Sequence, residues 1–269
     1  MQTQPKRVTS ELLDRLNDLA NSTLPSEEIT TAIQQVLFRA QGLRNANTDE
    51  YYAVQGICAS LQGDVEGLVE AFETGLEKGG WSEFLFHNYV TSLDDICEFE
   101  LIADVARRCI VELAHEPGAL YVATTMALHA GDVRVAAEAQ RLLTQNFRTF
   151  DENSVDDEQA GNGIINFVDA AGKDPERLDR IDEVIRTTRR FLKLRGPRRM
   201  LATSRFTDGP FGNPHLVLGY APAEQSEQVV GLERELFTAL SEGSVDDETF
   251  DWMTIGLARK KTYASVLHP

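Results

Sequence analysis

Three short segments of this chain recur at a fixed interval, and that interval limits the fold more than any other feature. Leu61-Gln-Gly-Asp-Val-Glu66, Ile96-Cys-Glu-Phe-Glu100 and Ala130-Gly-Asp-Val-Arg134 place Gly63, Cys97 and Gly131 34 residues apart. The next residue is acidic each time (Asp64, Glu98, Asp132), and the one after is apolar (Val65, Phe99, Val133). The register runs on through Leu68, Ile102 and Ala136, then Phe72, Ala106 and Gln140, then Gly75, Cys109 and Leu143. Only Gln140 departs from apolar or small character. A period of this length belongs to a repeating supersecondary unit, not to a single helix or strand.

A helix hairpin accounts for the pattern. Glycine ends the first helix because it tolerates a left-handed backbone, and the acid after it favours the start of the second by capping and by the helix dipole. One such pair cannot bury its apolar stripe alone, so neighbours must stack. On these residues, the segment from about 50 to 145 resembles tetratricopeptide repeats. The first-helix tryptophan, leucine-glycine and tyrosine of that family fall on Tyr52, Gln55-Gly56 and Ala59, and its second-helix alanine and phenylalanine on Leu68 and Phe72. In the second unit the same places hold Phe86, Tyr89-Val90, Leu93, Ile102 and Ala106. The closing proline is missing from the first unit, and Pro117 comes late for the second. The likeness lies in period and turn chemistry, not in identity.

The expected fold is mainly α: a tetratricopeptide-like α-solenoid of helical hairpins over residues 1–195, followed by a small α+β module over 197–269. In front of the repeat, Ser10 to Ala20 reads as a helix with Leu12, Leu13, Leu16 and Leu19 on one face. A second helix enters through Pro25 and runs from Ser26 to about Leu43 with Ile29, Ile33, Val36 and Leu37 as its stripe. Asp151–Glu158 and the similar Glu242–Glu248 read as polar loops leading into helices, with Ser154 and Asp157 at helix-start spacing. Neither has calcium-loop spacing, so no metal site is expected. Gly196-Pro197 marks the domain boundary. Beyond it, Met200–Phe206 and His215–Tyr220 read as strands, Ala223–Leu240 as an amphipathic helix and Phe250–Leu257 as a last strand. Asn213-Pro-His-Leu-Val-Leu-Gly-Tyr220 with its following helix is similar to the C-terminal module of enhanced-serine-sensitivity-type proteins, a likeness too general to transfer any residue's role.

A helix expected over 176–195 runs against the charge of the rest. From Arg177 to Arg199 there are nine basic residues against three acidic ones. Arg186, Arg189, Arg190 and Lys193 form a basic stripe, with Ile181, Ile185 and Leu192 roughly opposite. Three readings are open: a nucleic-acid contact, an acidic partner, or pairing with the protein's own acidic surface and helix end.

The whole chain of 269 residues carries 43 acidic and 26 basic side chains, a formal charge of −17. Such a field repels nucleic-acid phosphates and anionic membranes and favours a neutral or basic protein partner. No apolar run approaches a membrane span, and Met1-Gln-Thr-Gln-Pro-Lys-Arg7 leads into no apolar stretch, so neither a membrane nor a signal peptide is expected. Cys58, Cys97 and Cys109 lack Cys-x-x-Cys spacing, which fits reduced thiols in a cytoplasmic protein. His87, His115, His129, His215 and His268 lack zinc-ligand spacing, and no nucleophile elbow or phosphate-cradling glycine loop occurs. No catalytic residue, metal or cofactor is assigned.

The resemblance implies recognition instead. First helices of tetratricopeptide stacks line a groove, and carrying those places over gives Glu50, His87, Thr91, Asp94, Asp95, Tyr121, Thr125 and His129. The lysine-asparagine clamp by which some members hold a C-terminal carboxylate is not matched, since Ala53, Ile57 and Val122 stand at its key places. The expectation is a non-enzymatic adaptor for a neutral or basic protein or peptide segment. Two alternatives stand beside it. One is a cytoplasmic immunity protein that neutralises a basic toxin. The other is an enzyme with its site between the solenoid and the C-terminal module, near His215 and the Asp208–Pro214 loop.

Overall fold

Apolar side chains recurring three and four residues apart make most of the chain helical. The structure, a computed structural model, describes residues 5–20, 22, 25–147, 155–194, 201–209, 212–221, 226–242 and 247–257. Among them are twelve α-helices and one three-stranded sheet near the C-terminal end, so the architecture is mainly helical with a small α+β module. The chain divides into two compact units, Met1–Ile96 and Cys97–Pro269.

The first unit holds α1 (Pro5–Ala20), α2 (Ser26–Ala40) with a 3-10 turn at Gln41–Leu43, α3 (Thr48–Gln62), α4 (Val65–Gly79) and α5 (Glu83–Asp95). On α1, Leu12, Leu16 and Leu19 are buried in one cluster with Ile33, Val36 and Ala40 of α2, and Leu13, Ile29 and Leu37 pack partly buried around it. α3 is buried on most sides, and α4 packs closely on it because Gly56 leaves room for the Phe72 ring and Gly75 for Tyr52. Phe72 in turn stacks on Tyr89 of α5, with ring centroids 4.7 Å apart.

Two of the repeat's turns are built alike to the hydrogen bond. Gly63 has φ +71 and Gly131 has φ +79, left-handed values that favour glycine. At the first turn Asp64 N–H donates to Ala59 O at 3.0 Å and Gly63 N–H to Ser60 O at 2.9 Å. At the second, Asp132 N–H donates to Ala127 O at 2.9 Å and Gly131 N–H to Leu128 O at 3.2 Å. Both are Schellman motifs, which satisfy the last carbonyls of the first helix. The acid that follows then caps the next helix: Asp64 accepts from Gly67 N–H at 2.9 Å and Asp132 from Val135 N–H at 3.1 Å. Cys97, the equivalent residue between them, has φ +61 and is the only non-glycine residue with positive φ among the described residues. The 34-residue period is therefore a period of backbone conformation. Glu98 departs from it, because its longer side chain makes no cap hydrogen bond and pairs with Lys193 at 2.6 Å instead.

The second unit opens with α6 (Phe99–Glu112), α7 (Pro117–Ala130), α8 (Val133–Asn146), α9 (Val155–Ala171) and α10 (Pro175–Lys193). Then come β1 (Leu201–Asp208), β2 (Pro214–Ala221), α11 (Ser226–Glu242), a short α12 (Asp247–Phe250) and β3 (Met253–Leu257). The sheet order is β1-β2-β3: β1 pairs antiparallel with β2, and β3 returns parallel to β2 after the α11 crossover. Phe250, expected to open the last strand, instead closes α12. Ser154, Gly196-Pro197 and most of the Glu242–Glu248 string lie outside the described residues, as do the side chains of 155–158.

Within the second unit the sheet shares a core with the helices before it. Phe206 of β1 lies against Gly163 and 5.7 Å from the Phe167 ring of α9. Trp252 lies 6.4 Å from Phe167 and carries the Arg177 guanidinium of α10 4.6 Å from its ring centroid. Leu216, Leu218 and Tyr220 alternate into this core with Met253, Ile255 and Leu257.

The two glycine turns differ in what surrounds them. A Cβ at Gly63 would meet nothing within 4 Å, whereas at Gly131 it would lie 2.9 Å from Arg186 Cγ and 3.0 Å from the Asp182 carbonyl oxygen. Gly63→Ala is expected to cost about 1–2 kcal/mol, the left-handed penalty alone. Gly131→Ala is expected to cost clearly more, and chemical denaturation of the two variants measures the difference.

Candidate functional site

A concavity in the second unit grows out of the α7–α8 turn. The first N–H groups of α8 have no partner within the helix. Asp132 takes that of Val135, and Asp182, arriving from α10, takes that of Val133 at 3.0 Å. The absent side chain of Gly131 is what lets the α10 backbone come so near. Two arginines gather on these carboxylates. Arg107 of α6 pairs with Asp132, and Arg134 pairs with Asp179 at 2.7 Å, donates to Pro175 O at 3.0 Å and stands 3.7 Å from Asp182. Around them opens a cleft of about 770 Å³ walled by α6, α8 and α10, with Arg186, Glu138 and Glu183 on its sides and Ile110 and Val111 at one edge.

A second cleft of about 520 Å³ shares Arg134 and Glu138 with the first. Arg141, Leu142 and Gln145 of α8 continue it past Val168 of α9 and Gly172 just after that helix, and Arg141 pairs with Asp169. The two form one groove that follows α8.

Asp182 is 3% exposed, and burial pushes its carboxyl up to about 7. The Val133 N–H pulls the other way, neighbouring Asp132 adds to the rise, and Arg186 and Arg134 lower it. Burial wins because Asp182 keeps little water to solvate its charged form. His129 is buried as well, and burial, then the charge of Arg189, lowers it to about 3, so its ring is neutral at physiological pH. Burial likewise pushes the Cys58 and Cys109 thiols up to about 12, far from the thiolate that a nucleophile needs.

The positions expected to line a first-helix groove divide between the two units. In the first, Glu50 accepts from the Thr9 hydroxyl, His87 is exposed, Asp94 and Asp95 are half-buried, and the Thr91 hydroxyl is turned inward. In the second, Tyr121 stands out at 57% exposure and the Thr125 hydroxyl donates to Tyr121 O at 3.2 Å. His129 does not face a groove: it is packed in the core, and its carbonyl accepts from Arg189 Nε at 2.9 Å.

The basic stripe is also redistributed. Arg190 pairs with Glu183 at 3.2 Å and Glu100 at 3.4 Å, Lys193 pairs with Glu98, and Arg186 lines the cleft. Arg189 leaves the stripe altogether. It is 1% exposed, with its guanidinium 3.8 Å from the Phe99 ring centroid and 5.0 Å from that of Tyr220. At 100° per residue Arg189 lies only about 40° from Ile185, on the border of the apolar face and not opposite it. His215 is buried, with Nδ1 3.1 Å from Asp251 O and Nε2 2.9 Å from Thr254 Oγ1. The carbonyl must accept, which puts the ring proton on Nδ1 and leaves Nε2 to accept from the hydroxyl. Both nitrogens are engaged in holding β3.

Among the described residues no group of His, Cys, Asp and Glu side chains has the arrangement of a metal site. Comparison with protein-family models, with curated proteins and with solved structures finds no match to this chain. Arg107, Arg134, Glu138 and Arg141 carry no signature in the sequence, being ordinary exposed helix residues. Asp182 does leave a trace: it stands between Ile181 and Val184 on the apolar side of its helix.

A carboxyl that titrates near 4 unfolded and near 7 folded binds its proton more tightly in the folded state, so stability falls as pH rises between those values. Asp182→Asn keeps an oxygen for Val133 N–H and does not titrate. Its unfolding free energy, measured beside that of the parent from pH 4 to pH 8, is expected to gain on the parent across that window; a constant difference would contradict the assignment.

Proposed function

We propose that this protein is a non-enzymatic interaction module whose helical hairpins hold a neutral or basic segment of a partner protein in the cytoplasm. The observation that carries the reading is the groove along α8: open, walled by α6, α8, α9 and α10, and lined by five carboxylates and four arginines in a chain of net charge −17. An acidic field of this kind steers and selects cationic partners. The repeated left-handed turn at Gly63, Cys97 and Gly131 supports tetratricopeptide-like hairpins as the scaffold. High thiol pKa values at Cys58 and Cys109 and the engaged ring of His215 weigh against nucleophilic or general-base roles for these groups. Three free cysteines fit a reducing compartment. Among the described residues no helix is long and apolar enough to cross a membrane.

Binding of an immobilised peptide library sorted by charge tests this function. Neutral and basic peptides are expected to be retained and acidic ones not. Retention of the basic set should weaken as salt rises toward and beyond about 0.15 M, where exposed charges are screened within about 8 Å. Retention indifferent to peptide charge would refute the reading.

A further inference from the structure

The groove's charges are unevenly satisfied. Arg107, Arg134 and Arg141 project from its walls, yet each is held by a carboxylate of the protein: Asp132, Asp179 and Asp169 respectively. Arg186 faces the buried Asp182 carboxyl. Glu183 is taken by Arg190. Glu138 differs. It is exposed, it lines both clefts where they join, and among the described residues it has no ion pair. Its isolation is not for want of neighbours, since Arg134 and Arg141 stand four residues before and three after it, the spacings at which helical ion pairs form. Both arginines turn away to α9 and α10 instead.

We propose that the groove along α8 seats the partner segment, and that Glu138 anchors one lysine or arginine side chain of it, with apolar residues on either side. This rests on the binding function proposed above and assigns it a site. The fourteen residues of α8 span about 21 Å at about 1.5 Å each. An extended segment of about six residues covers that length. Leu142 and Val168 lie on one side of Glu138, and Ile110 with Val111, itself 75% exposed, on the other. A lysine or arginine stem lies along such apolar surface while its charged head reaches the carboxylate. The occupant is a segment of another protein whose cation complements the Glu138 carboxylate, in a chain of net charge −17.

Fluorescence anisotropy with the full-length chain tests the site. The probes are a labelled peptide of about six residues with one central lysine flanked by leucine and valine, and its glutamate counterpart. The lysine peptide is expected to bind about threefold more weakly to Glu138→Gln and about tenfold more weakly to Glu138→Lys, in line with an exposed ion pair and its reversal. The Asp94→Lys plus Asp95→Lys variant should stay within about twofold of the parent by the same scale. Tighter binding of the glutamate peptide to Glu138→Lys would support the anchor. If the lysine peptide binds the parent and Glu138→Lys equally, the groove assignment fails while the binding function stands. If no peptide of the charge-sorted library binds the parent, both fail. Dimerisation of the parent that Glu138→Lys abolishes, seen by sedimentation, would replace the partner with a second copy and overturn the proposal.

Discussion

The hydrogen bond from Val133 N–H to the Asp182 carboxyl ties the start of α8 to α10. A helix start leaves amide donors open, and in this chain two of them are closed by aspartates 50 residues apart in the sequence, Asp132 and Asp182. Leaving a buried donor unsatisfied costs about 1–3 kcal/mol, and Asp182 itself has given up most of its water. Its carboxyl is therefore shifted toward the neutral form, with Arg134 and Arg186 offsetting part of the cost. Gly131 makes the junction possible, since any Cβ there would press on the α10 backbone. From this point the groove follows: Arg107 and Arg134 are oriented by the same carboxylates that cap α8.

α10 serves both the groove and the sheet. Asp182 and Arg186 reach the cleft. Two turns beyond Asp182 on the same face, Arg189 enters the core, near the rings of Phe99 and Tyr220 and on the carbonyl of His129. A guanidinium in that position is held by a hydrogen bond and by ring faces, a combination suited to arginine and not to lysine. Arg177 repeats the device on Trp252. The C-terminal strands thus share their packing with the helix that walls the cleft.

Much of the backbone was legible from the residues. The 34-residue spacing marked the left-handed turns, and the acid after each turn marked a helix start; Asp64 and Asp132 cap as their short side chains allow, whereas Glu98 is one methylene too long and pairs with Lys193. The first two strands followed from the runs Met200–Phe206 and His215–Tyr220 on either side of a glycine- and proline-rich loop. What periodicity does not resolve is which way a residue on the edge of a helix face turns. Arg189 and His129 are polar residues by type and core residues by position, and each is decided by neighbours more than thirty residues away in sequence. Phe167, Phe206 and Trp252 share a core across residues that sequence reading assigns to separate domains. Glu138 could not be picked out at all, since its distinction is that its two helical neighbours pair elsewhere.

Amide hydrogen exchange at Val133 reads the central junction directly. An N–H at the first position of a helix normally exchanges rapidly, for want of an intrahelical partner. With Asp182 closing it, Val133 is expected to be protected as strongly as the buried middle of α8, and Asp182→Ala to remove that protection while leaving α3 and α4 of the first unit unchanged. Exchange at Val133 as fast as at a frayed helix end in the parent protein would contradict the account.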